Sequence, residues 1–277
     1  MSPTFPPSTP TFPPDLVPDH AQPPEITAAE RAVADLLPIE ADPEAARRVL
    51  ERVPLWFHTF ALNSEHGIYT RGIARDHRYR VPFLPTSFAG QWVLDVGTFD
   101  GFYAYLAEHC GAARVLAVDN EQYVAWVKAR WGVELEGGEG FRAIGELLRS
   151  SVEYRRGDAL ALAAGERFDV VFCFGILHRV ENPLGLLRRL GGLLAPGGRV
   201  LVETYGMEDD GAVDQHTIEV MRSGEVYESD DYVYWGFGAG GLAALARLAG
   251  LPEVELGDRV VVDGHPRIMA TLRPPAT

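Results

Sequence analysis

Hydrophobic and polar positions follow two rhythms along this chain, and the rhythm changes near Gln91. From there on, short unbroken apolar runs, as strands buried on both faces require, take turns with stretches whose apolar residues recur at helical spacing. The runs Trp92–Val96, Arg114–Val118, Val152–Arg155, Phe168–Phe174 and Arg199–Glu203 predict five strands. Between them Phe102–Cys110, Gln122–Trp131, Gly140–Leu148 and Leu184–Leu194 read as helices. Gly137-Gly138 parts the middle two, and Pro196-Gly197-Gly198 turns into the fifth strand. Strands joined through helices lie parallel. A helix over Leu242–Ala249 follows. Val254–Val262 and Arg267–Leu272 then read as a hairpin across Asp263-Gly264-His265-Pro266, which makes His265 a turn residue. The pattern predicts an α/β fold of seven strands, mostly parallel, closing on a C-terminal antiparallel hairpin.

The part before Gln91 lacks that alternation. Residues 1–24 are rich in Pro, Ser and Thr and read as a disordered tail. Residues 25–88 read as an N-terminal helical and aromatic cover, with amphipathic helices over Ile26–Leu37 and Pro43–Val53. Trp56-Phe57-His58-Thr59-Phe60 and His66–Gly72 follow, an aromatic and His-bearing stretch that either packs on a sheet edge or closes a ligand site. Residues 89–277 form the main domain, interrupted at 205–235 by acids, glycines and aromatics with little periodicity. That interruption reads as an insertion or lid, and His216 within it as a surface residue.

Composition narrows the partners. The formal net charge is −14, with 39 acids against 25 bases. Such a surface repels a polyanion, so nucleic acid is not expected as a partner without a local basic patch. Arg71, Arg75, Arg78 and Arg80 form the one arginine cluster that fits phosphate. Cys110 and Cys173 are the only cysteines and lie in apolar runs, which argues against a disulfide framework and for a reducing cytoplasm. No apolar stretch approaches the roughly 20 residues of a membrane span, and the N-terminus has no signal-peptide pattern. A cytoplasmic protein without a membrane partner is expected, and a homodimer stays open.

The chemistry gathers at strand ends. Val93–Phe102 reads as a buried strand, a tight Gly97-x-x-x-Gly101 turn and a helix start. Gly97 permits the turn, and Gly101 a close approach of backbone to ligand. Thr98-Phe99 occupy the place of the second glycine in Gly-x-Gly-x-x-Gly, so no pyrophosphate cradle is formed. Asp95 suits an ammonium, which points to S-adenosylmethionine (SAM) rather than NAD. Asp119-Asn120 stand 24 residues further on, where an acid takes both hydroxyls of a ribose and can cap the next helix as well. Asp158-Ala159 follow the third strand, placed for an adenine amino group or for a surface turn. His178, just past the fourth strand, is the candidate general base, with a side chain that titrates near neutrality, and His58 is the second. No Cys/His spacing suggests a metal.

Taken in order, Val93–Gly101, Leu116–Asn120, Arg155–Leu160, Phe168–His178 and Leu193–Thr204 resemble the successive signatures of the class I SAM-dependent methyltransferases, whose sheet is Rossmann-like. More narrowly, Trp56–Phe60, Gly67–Gly72 and Gly175–Pro183 are similar to the tRNA wobble-uridine methyltransferase and carboxymethyltransferase family. The resemblance implies SAM as cofactor, with S-adenosylhomocysteine as product. It places Asp95, Gly97, Thr98, Gly101, Asp119, Asn120, Asp158, Ala159, Phe174 and Gly175 around the cofactor, with Ile176 near the sulfonium. Candidate substrate contacts are Trp56, Tyr69 and Arg71 from the cover, and Glu203, Tyr205, Tyr234 and Trp235 from the fifth strand and the lid.

One departure bears on the reaction. Where the carboxymethyltransferases have Tyr-His, the Tyr holding the carboxylate of carboxy-SAM, this chain has His178-Arg179. Plain SAM is therefore expected. The resulting expectation is methyl transfer to a small-molecule hydroxyl in specialised metabolism. The alternatives are a tRNA wobble-uridine methyltransferase and a SAM-binding regulator without chemistry, the latter needing a blocked acceptor pocket.

Overall fold

A computed structural model describes residues 26–74, 77–163, 165–207, 217–226, 230–262 and 264–276. The Pro-rich tail, Arg75 and His216 lie outside them. Two compact units emerge, one from residues 91–97 with 157–276 and one from residues 26–90 with 98–156.

The second unit begins with α1 (Ala28–Ala34), fixed at its start by a capping box in which Thr27 and Glu30 each satisfy the other's backbone N–H. Asp42 caps α2 (Pro43–Arg52), with Pro43 in the first turn, where a missing N–H costs nothing. The aromatic stretch that follows is more regular than its sequence suggests. It contains an antiparallel pair, β1 (Ala61–Asn63) and β2 (Ile68–Tyr69), and then the short helix α3 (His77–Phe83). The described members of the expected arginine cluster do not share one environment. Arg71 and Arg78 are exposed, whereas Arg80 is buried beneath the Tyr103 ring, 5.8 Å from its centroid. The rest of this unit is α4 (Phe102–His109), β4 (Arg114–Asp119), α5 (Tyr123–Trp131), α6 (Glu139–Leu148) and β5 (Glu153–Arg156), with β4 and β5 parallel.

The first unit is built on β3 (Trp92–Val96), β6 (Phe168–Phe174) and β7 (Leu194–Tyr205). β6 runs parallel to both neighbours, with Asp95 opposite Phe172 and Phe174 opposite Glu203. Helix α7 (Pro183–Gly192) crosses between β6 and β7, capped by Asn182. Val93 and Leu94 of β3, Val170–Cys173 of β6 and Val200–Val202 of β7 are buried, as continuous apolar runs in a parallel sheet require.

The C-terminal pairing is antiparallel but not a simple hairpin. Its first limb breaks into β10 (Glu253–Leu256) and β11 (Val260–Val262), both paired with β12 (His265–Arg273), which adjoins β7. His265 is therefore not a turn residue. It opens β12 opposite Val262 and is buried. The 205–235 insertion also has structure, in that β8 (Ile218–Val220) pairs with β9 (Trp235–Phe237). Tyr205, Met221, Val226 and Val233 pack into a small core of their own beside that pair. Helix α8 (Ala239–Leu248) follows. The fold class is thus the mostly parallel α/β arrangement with an antiparallel C-terminal end. Among the described residues, no helix is long and apolar enough to cross a membrane.

Candidate active site

In the first unit the candidate residues collect where β3, β6 and β7 end. Asp95 is buried at 2% exposure. Gly97 has φ +73°, and a Cβ there would stand 2.1 Å from Ile176 Cδ1. Two strand-end turns therefore meet here with no room for a side chain. On the β6 side Gly175 donates its N–H to the Glu203 carbonyl at 3.0 Å and turns the chain into Ile176 and a 3-10 turn, Leu177–Arg179. Phe174 is buried just before it.

His178 is fully buried, and its hydrogen bonds fix its chemistry. The Tyr205 N–H donates to His178 Nδ1 at 3.2 Å, and Thr204 Oγ1 lies 3.2 Å from the same nitrogen. A backbone N–H can only donate, so Nδ1 presents its lone pair to it and the proton of the neutral ring resides on Nε2. Nε2 is then a donor. The general-base role expected for His178 needs a lone pair directed at the acceptor, and this arrangement places that lone pair on the backbone instead.

The insertion is fastened to the same loop. Tyr234 donates its N–H to the His178 carbonyl at 2.8 Å, and the Trp235 indole donates to the Val180 carbonyl at 2.8 Å. Arg179 Nη1 donates to Asp230 Oδ2 at 2.6 Å, with the Asp230 side chain wholly buried. Burial, and then the neighbouring acids Glu181, Asp230 and Asp231, push the Tyr234 phenol above its ordinary pKa. Glu203 and Tyr205 are buried as well. Glu203 lies 3.5 Å from Arg267 Nη1, and Tyr205 anchors the small core of the insertion.

The second unit carries the other candidates. Thr98 is buried, and its carbonyl receives the Gly101 N–H at 2.8 Å to close the turn before α4. Phe99 within the turn has φ +52°, a left-handed value uncommon for a side-chain-bearing residue. Its N–H donates to Asp119 Oδ2 at 2.7 Å. The other Asp119 oxygen receives the Glu121 N–H at 2.7 Å, and Glu121 is also left-handed at φ +56°. One carboxylate at the end of β4 thus holds two strained backbone positions. Asn120 is exposed and accepts from the Gln122 N–H at 3.1 Å. Phe99 stacks between Phe57 and Tyr123, with ring centroids 4.6 and 3.7 Å away. A small pocket lined by Phe99, Tyr123, Leu55 and Glu139 lies beside this column.

His58, the second candidate base, is turned inward. Asp100 Oδ2 receives the N–H groups of Phe57 and His58 at 2.8 and 2.9 Å, while Asp100 Oδ1 meets His58 Nδ1. Both side chains are buried, and the His58 ring packs against Phe60, Phe102 and Tyr103. This residue ties the cover to the turn before α4. Trp56 is fully buried, and Tyr69 donates to Asp35 Oδ1 at 2.9 Å beneath Arg31. Their bulk is committed to packing within this unit. In the first unit Asp158 is exposed and caps the short turn Ala159–Ala161 by accepting from the Leu160 N–H.

Sequence spacing overlooked Asp100, Glu121 and Asp230. Asp100 stands inside the Gly97–Gly101 turn, and an acid there has no local reason to exist, which was the available signal. Among the described residues no group of three or more His, Cys, Asp or Glu is arranged to hold a metal.

Comparison with known proteins identifies the family. The methyltransferase-domain family matches residues 69–251, about two thirds of the chain. This chain belongs to that family. The tRNA U34 carboxymethyltransferase of Idiomarina loihiensis is similar to this chain at 27% identity over 177 residues, 61% of the chain and 48% of the relative. The enzyme of the same name from Chromohalobacter salexigens is 30% identical over 186 residues, 66% of the chain and 50% of the relative. The chain thus spans about half the length of these curated relatives. A crystal structure titled as the N-terminal domain of EvdMO1 with SAH bound shares the fold, with a TM-score of 0.58 and 20% identity over 84% of this chain and 96% of that one.

Proposed function

We propose that the protein is a SAM-dependent methyltransferase that methylates a hydroxyl oxygen on a small molecule. The residues present fit the cofactor. The turn at Gly97 admits only bare backbone beside Ile176, and Asp119 ends β4 as a carboxylate held in place by two amides. Asp95, Gly97, Phe174 and Gly175 would hold the amino-acid end, Thr98, Gly101, Asp119 and Asn120 the ribose, and Asp158 and Ala159 the adenine. When bound, SAM supplies a methyl on a sulfonium, electrophilic without further activation.

The chain's own work is then alignment of the acceptor oxygen and exclusion of water. The acceptor gives up a proton as its oxygen forms the new C–O bond. His58 is engaged by Asp100, and His178 Nδ1 by the Tyr205 amide, so neither offers a base. An acidic hydroxyl, phenolic or enolic, ionises without one, and this is the acceptor class we assign. His178 holds the loop in register with β7 through the Tyr205 amide.

The observation that carries the small-molecule reading is the fastening of the insertion to residues 178–180, where Arg179 is already committed to buried Asp230. An acceptor loop covered by a folded segment, on a chain of net charge −14, suits a compact ligand better than a polyanion. A second reading, transfer to tRNA, draws on the names of the curated relatives. Incubation with methyl-labelled SAM, separately with bulk tRNA and with a pool of small phenols and enols, decides between them. Label in the small-molecule pool is expected. RNase-sensitive label in tRNA would replace the first reading with the second, and binding of SAM with label in neither pool would favour a regulator.

A further inference from the structure

We propose that Glu121 is a positioning residue for the ribose of the cofactor, acting through Asp119. This rests on the SAM reading above. Glu121 is buried with a left-handed backbone, and its N–H donates to Asp119 Oδ1 at 2.7 Å. Its side chain is hydrogen-bonded at one oxygen and ion-paired at the other. The Tyr154 hydroxyl donates to Oε1 at 2.7 Å, and Arg156 Nε lies 2.8 Å from Oε2. The chain also clears space for this carboxylate. At Gly137, with φ +91°, a Cβ would stand 2.3 Å from Glu121 Oε2. A glutamate that only decorated a surface would need neither a bare glycine against it nor a half-buried tyrosine donor.

The clamp sets the direction of the Glu121 N–H and so fixes one oxygen of Asp119, while the Phe99 N–H fixes the other at 2.7 Å. With both oxygens held from behind, the carboxylate has one orientation left in which to meet a pair of vicinal hydroxyls. Glu121 touches no part of the cofactor in this scheme. Its effect is on the angle of Asp119.

The test uses the full chain and calorimetric titration with S-adenosylhomocysteine and with its 2′-deoxyribose analogue. Wild type should prefer the ribose form. Glu121→Gln should weaken S-adenosylhomocysteine about tenfold, as loss of a charge-assisted hydrogen bond implies, while leaving the deoxy analogue nearly unchanged. In an Asp119→Asn background the same change should have no further effect. Tyr154→Phe removes one side of the clamp, should give a smaller loss of the same kind, and serves if Glu121→Gln does not fold. Equal weakening of both ligands, or full additivity with Asp119→Asn, overturns the inference and leaves the SAM reading standing. No binding by wild type overturns both.

Discussion

His58→Ala should unfold the cover rather than stop chemistry, and the structure sets the size of the effect. Asp100 receives two backbone N–H groups and the His58 ring, with both partners at most 3% exposed. Removing one member of a buried pair of this kind costs about 3–5 kcal/mol, because the partner stays buried without its counterpart. Against a typical total stability of about 5–15 kcal/mol, that is a large share. At about 2–4 °C per kcal/mol for a chain of this size, the melting temperature should fall by roughly 10 °C. Asp100→Asn, which keeps the shape but not the charge, should lose less. Urea unfolding of both single variants and the double variant gives the coupling energy, expected at about 1.5–3 kcal/mol. SAM-dependent turnover measured well below the new melting temperature should survive. If His58→Ala keeps wild-type stability and loses turnover, the structural role is wrong and the cover supplies the base after all.

Other consequences can be checked directly. Gly97→Ala combines a left-handed backbone with a Cβ 2.1 Å from Ile176 Cδ1, so it should destabilise by about 2–4 kcal/mol, and adding Ile176→Ala should recover only the steric part. Arg179→Ala leaves Asp230 buried without its partner and should loosen the insertion by about 3 kcal/mol, seen as faster hydrogen exchange at the Tyr234 and Met221 amides. Unchanged exchange there would refute the fastening. Burial raises the Tyr105, Tyr123 and Tyr154 hydroxyls above the ordinary value of 10.0. Because their pKa values are higher folded than unfolded, the stability they confer is intact below pH 10 and is lost as the pH rises beyond it. Absorbance at 295 nm should therefore show part of the tyrosine signal titrating only with unfolding. A smooth titration near pH 10 with the fold intact would contradict the burial.

The order of strands and helices was legible because each is set by near neighbours. Short continuous apolar runs alternating with helical stretches suit strands buried on both faces of a parallel sheet, and the Gly97–Gly101 turn follows from local backbone freedom. The positions of Asp95, Asp119 and Asp158 at strand ends came with that pattern. What the two candidate histidines do was not legible, since their partners are remote in the chain. Asp100 is 42 residues from His58, and the Tyr205 amide that sets the His178 tautomer is 27 residues away. The same holds for Arg179 and Asp230, 51 residues apart. A titratable side chain takes its role from the groups that face it after folding. Spacing along the chain places a histidine near a strand end, but only the packed structure decides which of its nitrogens holds the proton.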